Sequence, residues 1–217
     1  MRFRRPSVLT IVFSLIAIAA MVSLGVWQLE RREWKNSLLA AIAERMTQLP
    51  TAMPTAPGPD WQFRHVTVEG AVVGGQWFRF PGHSRNSQVG DLLMLLLRRP
   101  DGKLVAVEHG WVPFDAPAPP LPLVLAVEGI LREPEKPGWF TPANDPAGNA
   151  WYAVDPAAMA TAAGLPPADV LPLYLKPRDW QPHLPNDHLQ YAITWFSLAG
   201  VFVIIFILFH RRRPGRA

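Results

Sequence analysis

The stretch NDHLQYAITWFSLAG, residues 186 to 200, carries the densest set of side chains able to do chemistry. Read as a helix, it puts His188, Tyr191, Ala192, Trp195 and Ala199 on one stripe, because steps of three, four and seven residues return to similar angles. The stripe combines an imidazole, an aromatic wall and small residues that admit a neighbouring helix. A haem pocket needs such a set: an axial imidazole, a flat apolar face for the porphyrin, and basic groups near the water line for the propionates. LGVWQLERREWK, residues 24 to 35, offers Arg31, Arg32 and Lys35 for the last role. Both stretches also suit a plain membrane boundary, where indole rings prefer headgroup depth and basic stems lie on apolar surface with their charges wet. An ionisable group costs little at that depth, so a structural histidine is the competing reading of His188.

Other candidates are weaker. His83-Ser84 with Asp91 contains the residue types of a nucleophilic triad, but no nucleophile elbow accompanies them, and PGHSRNSQVG reads as an exposed loop. His65, His109 and His183 are scattered without the short spacing of a metal site. Gly74-Gly75 lacks the strand-turn-helix setting of a phosphate loop. The chain has no cysteine, which excludes disulfides, thiolate copper sites, the CxxCH haem attachment and a cysteine nucleophile.

The elements that must position these residues are marked by charge. Val8 to Gln28 and Leu189 to Phe209 are each free of charge over about 21 residues, long enough to cross about 30 Å of hydrocarbon as helix. Ala17-Ile18-Ala19 would allow signal cleavage, but the first run exceeds a signal core and is expected to be an anchor. Arg2, Arg4 and Arg5 precede it, and Arg211, Arg212, Arg213 and Arg216 follow the second run. Basic ends place both termini in the cytoplasm and the segment between the spans outside. The net charge of +4 is then mainly a record of topology, and nucleic acid is not an expected partner. Without a Ser-rich, Arg-rich presequence, a bacterial plasma (inner) membrane is the expected location.

The expected fold is a membrane protein with two transmembrane helices flanking an exterior, mainly antiparallel β domain, barrel- or sandwich-like, with one short helix. Its parts are a cytoplasmic N-terminus at 1–7, a first span at 8–28 and an amphipathic helical extension at 29–49. A Pro-rich linker at 50–60, the β domain at 61–187, a second span at 188–209 and a basic tail at 210–217 complete it. Nearly all of the 24 prolines lie between Pro50 and Pro185, favouring turns and short strands there. FRHVTVEGAVV alternates as a strand does, and Pro100-Asp101-Gly102 joins two apolar runs as a hairpin turn. LVLAVEGIL, AWYAV and LPLYLK read as further strands. Asp155-Pro156, AAMATAA and Gly164 supply the cap, first-turn proline and terminal glycine of the short helix.

Taken together, LGVWQLERREWK, FRHVTVEG, HGWVP at 109 to 113, EGILREPEKPGWFTPANDPAGNAWYAVD and HLQYAITWFSLA resemble the Surfeit locus protein 1 family, membrane proteins that assist cytochrome c oxidase assembly. The resemblance covers nearly the whole chain. It implies a non-enzymatic factor that binds haem a transiently and aids its insertion into the catalytic subunit of a haem-copper oxidase, with haem a synthase as a second candidate partner. It maps the haem iron ligand onto His188 and an aromatic of the same motif onto Trp195; the residue reading adds Tyr191 from the same stripe and Arg31 and Arg32 at the face of the lipid bilayer to the expected site. The rival reading is a membrane scaffold that touches oxidase subunits without holding haem. Glu108-His109 stands where the family commonly has Asn-Arg, and the Thr-Pro usual before the preceding strand is missing near Val89 to Asp91.

Overall fold

A computed structural model of the chain describes residues 6–182 and 185–211. The arginines at 2, 4, 5, 212, 213 and 216, on which the topology argument leans, lie outside those residues, as does His183. The chain divides into two units, 1–41 with 183–217, and 42–182.

The first unit is built on two helices. Helix α1 runs from Val8 to Thr47, so the apolar run and the extension form one element, and α3 runs from His188 to His210. Both are long and apolar enough to cross a membrane. Large apolar side chains such as Phe13, Ile204 and Leu208 point outward, the arrangement lipid requires and water would penalise. On α1 the shielded positions are Ser14, Ala17, Ile18, Met21, Gly25, Gln28, Arg32, Lys35 and Leu39; on α3 they are His188, Ala192, Trp195, Ala199, Phe202, Phe206 and His210. Alternating steps of three and four residues define a seam of the kind two packed helices share. Gly25 leaves room there for Phe196: a Cβ on Gly25 would lie 2.6 Å from the Phe196 Cε1.

This contact makes a prediction. Gly25→Leu overpacks the seam at a cost of about 1–3 kcal/mol. It is expected to lower the thermal transition of the helix pair in detergent, and the double variant Gly25→Leu, Phe196→Ala should recover most of the loss. Equal melting of single and double variants would deny the contact.

The second unit is a mixed sheet, mainly antiparallel. Its strands are β1 (Thr51–Ala52), β2 (His65–Arg85), β3 (Gln88–Arg98), β4 (Leu104–Pro113), β5 (Val124–Arg132) and β6 (Val170–Pro177). The order β1-β2-β3-β4-β6-β5 carries an additional β2–β5 pairing, which closes five strands into a barrel. Closure depends on the length of β2: its first part, His65 to Ala71, pairs with β5, and Ala71 to Arg85 pairs with β3. The parallel pairs are β1 with β2 and β4 with β6.

Side-chain alternation divides the core in two. Leu93, Leu95 and Leu97 meet Val66, Val68, Val105, Val107, Leu131, Leu173 and Leu175, contributed by all five barrel strands. Met94 and Leu96 face the other way, onto Phe78, Trp151, Met159 and Tyr174. Because β3 is buried on both sides, DLLMLLLR is a continuous apolar run instead of an alternating one. The hairpin turn forms at Gly102, whose φ of 84° suits glycine, and the Gly102 amide donates to the Arg99 carbonyl at 2.9 Å.

Helix α2 (Pro156–Ala162) is the expected short helix: the Asp155 side chain accepts from the Ala158 amide at 3.0 Å. Short 3-10 turns at Pro59–Trp61 and Pro167–Asp169 join it. Three local expectations fail. AWYAV is not a strand: Asn144 Oδ1 accepts from the Tyr152 and Ala153 amides at 2.8 and 3.0 Å, so a side chain satisfies donors that a ladder would use. PGHSRNSQVG is not a loop but the end of the β2–β3 hairpin, with Asn86 and Ser87 both at positive φ in the turn. The proline-rich linker contains β1, which pairs with Val66 and Thr67.

Candidate functional site

The seam of the helix pair holds most of the expected site. His188 opens α3, and its Nδ1 lies 2.8 Å from Oε1 of Gln28, which closes the charge-free run of α1. An amide oxygen only accepts, so Nδ1 is the donor in this contact. One helical turn further along α1, half-buried Arg32 lies on the same stripe as Gln28. Lys35 follows and donates to the Pro185 carbonyl, while Asn186 Nδ2 donates to Asn36 Oδ1 at 2.7 Å. Polar groups thus close the pair at the mouth of α3, and apolar and small residues continue it inward.

Of the expected site residues, the structure puts His188, Trp195 and Arg32 on the seam, each half-buried. Tyr191 and Arg31 are exposed to its side. The Arg31 guanidinium lies 3.8 Å from the ring centre of Trp34 on its own helix. Trp27, Arg31 and Trp34 do share a stripe, but it faces outward, with both indoles about half exposed. Sequence reasoning missed Gln28. Its signal was a lone polar amide ending an apolar run, a group that needs a partner when desolvated.

The barrel unit carries a separate cleft of about 480 Å³ lined by His83, Glu108, His109, Trp111, Arg178 and Trp180 among others. Lys176 reaches Glu108 there at 3.0 Å. Desolvation by the surrounding groups pushes the His83 imidazole below its ordinary value, against the opposing pull of Glu108. Asp91 is held by Arg79 at 2.9 Å, so its carboxylate is committed to an ion pair instead of a triad. Among the described residues, no group of three potential metal ligands converges.

Comparison with known proteins decides the family. The model of the SURF1 family matches residues 15–200, from inside the first apolar run to inside the second. The chain belongs to the SURF1 family. It is 28% identical to the SURF1-like protein of Monosiga brevicollis over 89% of this chain and 85% of that one. It is 29% identical to Surfeit locus protein 1 of Rattus norvegicus over 94% of this chain and 76% of that protein. The cytochrome oxidase assembly protein SHY1 of Saccharomyces cerevisiae is 29% identical over 79% of this chain, which spans about half (48%) of the yeast protein. For this SURF1-family chain, the match includes most of α1, the first part of α3 and the seam positions from Ala17 to Ala199.

The seam offers one imidazole, His188, as a possible metal ligand. An imidazole whose Nδ1 is tied to a carbonyl-type oxygen is the usual form of a metal-binding histidine, since the second hydrogen bond sets tautomer and ring orientation. In this SURF1-family member Gln28 supplies that oxygen.

Proposed function

We propose that this SURF1-family protein is a non-enzymatic assembly factor for a haem-copper terminal oxidase of a bacterial plasma membrane. It holds haem a transiently and aids its insertion into the catalytic subunit. Two features support the reading: one relative, the yeast SHY1 protein, is named a cytochrome oxidase assembly protein, and two membrane-length helices flank the barrel unit in the chain. The observation that carries the haem assignment is the pairing of His188 with Gln28 at the mouth of the second apolar helix.

Haem a, when bound, would supply an iron able to take a histidine nitrogen. His188 would offer Nε2 to that iron, and Gln28 would hold the ring by accepting from Nδ1. Trp195, two turns into α3 on the same stripe, presents an aromatic wall within apolar surroundings. Arg32 and Lys35 place positive charge beside the mouth, where propionates would meet water; Arg31 contributes from outside the seam. Tyr191 flanks the stripe on its exposed side.

The absorption spectrum of protein purified in detergent from cells that make haem a tests this directly. Haem a bands that survive washing are expected, and a protein that purifies without them from such cells would favour the scaffold. Topology is tested by reporter fusions active only outside the cytoplasm: signal is expected at Pro57 and Ala147, and none after Ala217. Activity at the C-terminal fusion would defeat the two-span arrangement.

A further inference from the structure

Strands β2 and β4 both run on beyond the closed part of the barrel, and the fold treats their outer edges differently. Beyond Val72, β2 has parted from β5. The chain covers that edge itself: Asn149 Nδ2 donates to the Trp77 carbonyl at 2.8 Å, and the Trp151 amide donates to the Arg79 carbonyl at 2.9 Å. Strand β4 pairs with β3 from Leu104 to Pro113 but with β6 only as far as Val107, because β6 stays with β5 through Pro177 and leaves β4 behind. Among the described residues, no backbone group of His109 to Val112 makes a hydrogen bond outside the pairing with β3. Alternate residues of such a strand turn N–H and C=O away from their one partner. The cleft of about 480 Å³ lies along this open stretch, lined by Glu108 to Trp111 and by Pro177 to Trp180.

Two local features keep the edge accessible. Leu93 pairs with Gly110 and Met94 with Glu108, so His109 is an extra residue whose bulge bends β4 at the point where β6 departs. Neither a positive φ nor an internal clash accounts for glycine at 110, since a Cβ there would meet only Leu93, at an ordinary 3.8 Å. A bare position on a strand lets a second backbone come close. Unpaired amides and carbonyls at strand spacing have one full complement, another extended backbone. Charge describes the side chains it would carry. The acids Glu108 and Glu128 are already engaged, by Lys176 at 3.0 Å and by Arg178 at 3.3 Å. Arg85 is exposed without an ion pair among the described residues, and the Arg178 side chain is 73% exposed; the exposed acid set against them is Asp179. That balance favours an acidic segment. Trp111, its Nε1 fixed on the His83 carbonyl at 2.9 Å, and Trp180 offer apolar surface beside it.

We infer that the open edge of β4, from Glu108 to Val112, is a β-augmentation site for an extended acidic segment of a partner protein, which adds a strand beside β4 and fills the cleft. The site lies within the barrel unit and does not depend on haem in the helix seam.

The full-length protein in detergent is the bait for a random peptide display library, with Gly110→Phe and Arg178→Glu proteins as counter-targets. Gly110→Phe puts a ring into the cleft, while Arg178→Glu reverses a charge at an exposed position and spares the fold. Selected peptides are expected to be rich in Asp, Glu, Thr and Val, to lack Pro, and to bind each variant about tenfold or more weakly. With such a peptide bound, hydrogen exchange of the outward amides within 109–112 should slow about tenfold. Two further versions of the peptide are N-methylated on one or the other alternate set of residues, which keeps the side chains and removes half of the donors. One version should lose binding and the other keep it, because a strand turns only one set towards its neighbour. Equal binding of the two versions overturns strand addition, as does protection confined to other parts of the chain. Failure to enrich any sequence over both counter-targets, or enrichment of basic ones, overturns the acidic-segment site.

Discussion

His188→Ala protein, purified in detergent beside the wild type, is expected to carry at least about tenfold less haem a while reaching the same abundance in the membrane. The substitution removes the proposed ligand nitrogen and one hydrogen bond, to Gln28, at the first residue of α3, and leaves the apolar packing of the helix pair in place. Gln28 is a positioning residue in this scheme, so its variants should grade by hydrogen-bonding chemistry. Gln28→Leu loses the acceptor and should weaken haem a retention by about tenfold, whereas Gln28→Glu keeps an acceptor and should retain it. A purely structural glutamine would show the opposite order, because leucine suits an apolar seam better than a carboxylate does. Trp195→Phe should be milder than Trp195→Ala, since a ring face persists. The reading is sunk if the absorption spectrum of His188→Ala protein matches that of the wild type.

Trp151→Ala is expected to be the most damaging single change in the barrel unit. The side chain is fully buried, meets Phe78 edge-on at 5.4 Å and Phe80 at 6.5 Å, and donates from Nε1 to Asn149 Oδ1 at 3.1 Å. Its backbone amide donates to the Arg79 carbonyl at 2.9 Å, so the indole also locks the 143–154 segment against β2. Truncation of a buried tryptophan costs about 3–5 kcal/mol, which for a unit of this size lowers the transition temperature by roughly 10 °C or more. Near-ultraviolet circular dichroism of the full chain in detergent reads that transition through the aromatic packing. Helical signal from α1 and α3 should outlast it, because those helices belong to the other unit. Trp139→Ala, at a fully exposed position, should leave the same transition in place; equal losses for the two variants would refute the assigned burial.

How legible the site was follows from what each residue depends on. His188 and Trp195 were readable because an imidazole and an indole stand out in an apolar run. Gln28 was not, because its partner lies 160 residues away and only the pairing of α1 with α3 brings them together. Arg31 and Arg32 could not be ranked for the same reason. An amphipathic surface helix shows its buried face as an apolar stripe. A helix that is apolar all round carries no such mark, so its rotation is set by the neighbour against which it packs. The failed strand at AWYAV is similar: its residue types suit a strand, yet Asn144, several residues upstream, takes the amides of Tyr152 and Ala153.

Short-range physics, readable along the chain, specifies the local elements. Uncharged runs of membrane length specify the two apolar helices; Pro100-Asp101-Gly102 sets a hairpin turn through a restricted φ followed by a glycine φ; Asp155-Pro156 starts α2 with a side-chain cap. The closure of the barrel and the phase of the seam are set by long-range packing alone. Closure requires β2 to change partner from β5 to β3 at Ala71, and β6 to enter between β4 and β5. Those pairings join segments far apart in the chain, with loop-closure entropy opposing them and buried area from all five strands repaying it only when they form together. The seam is the same case in the helix pair: Gly25 against Phe196 and Gln28 against His188 form only once α3 has returned alongside α1.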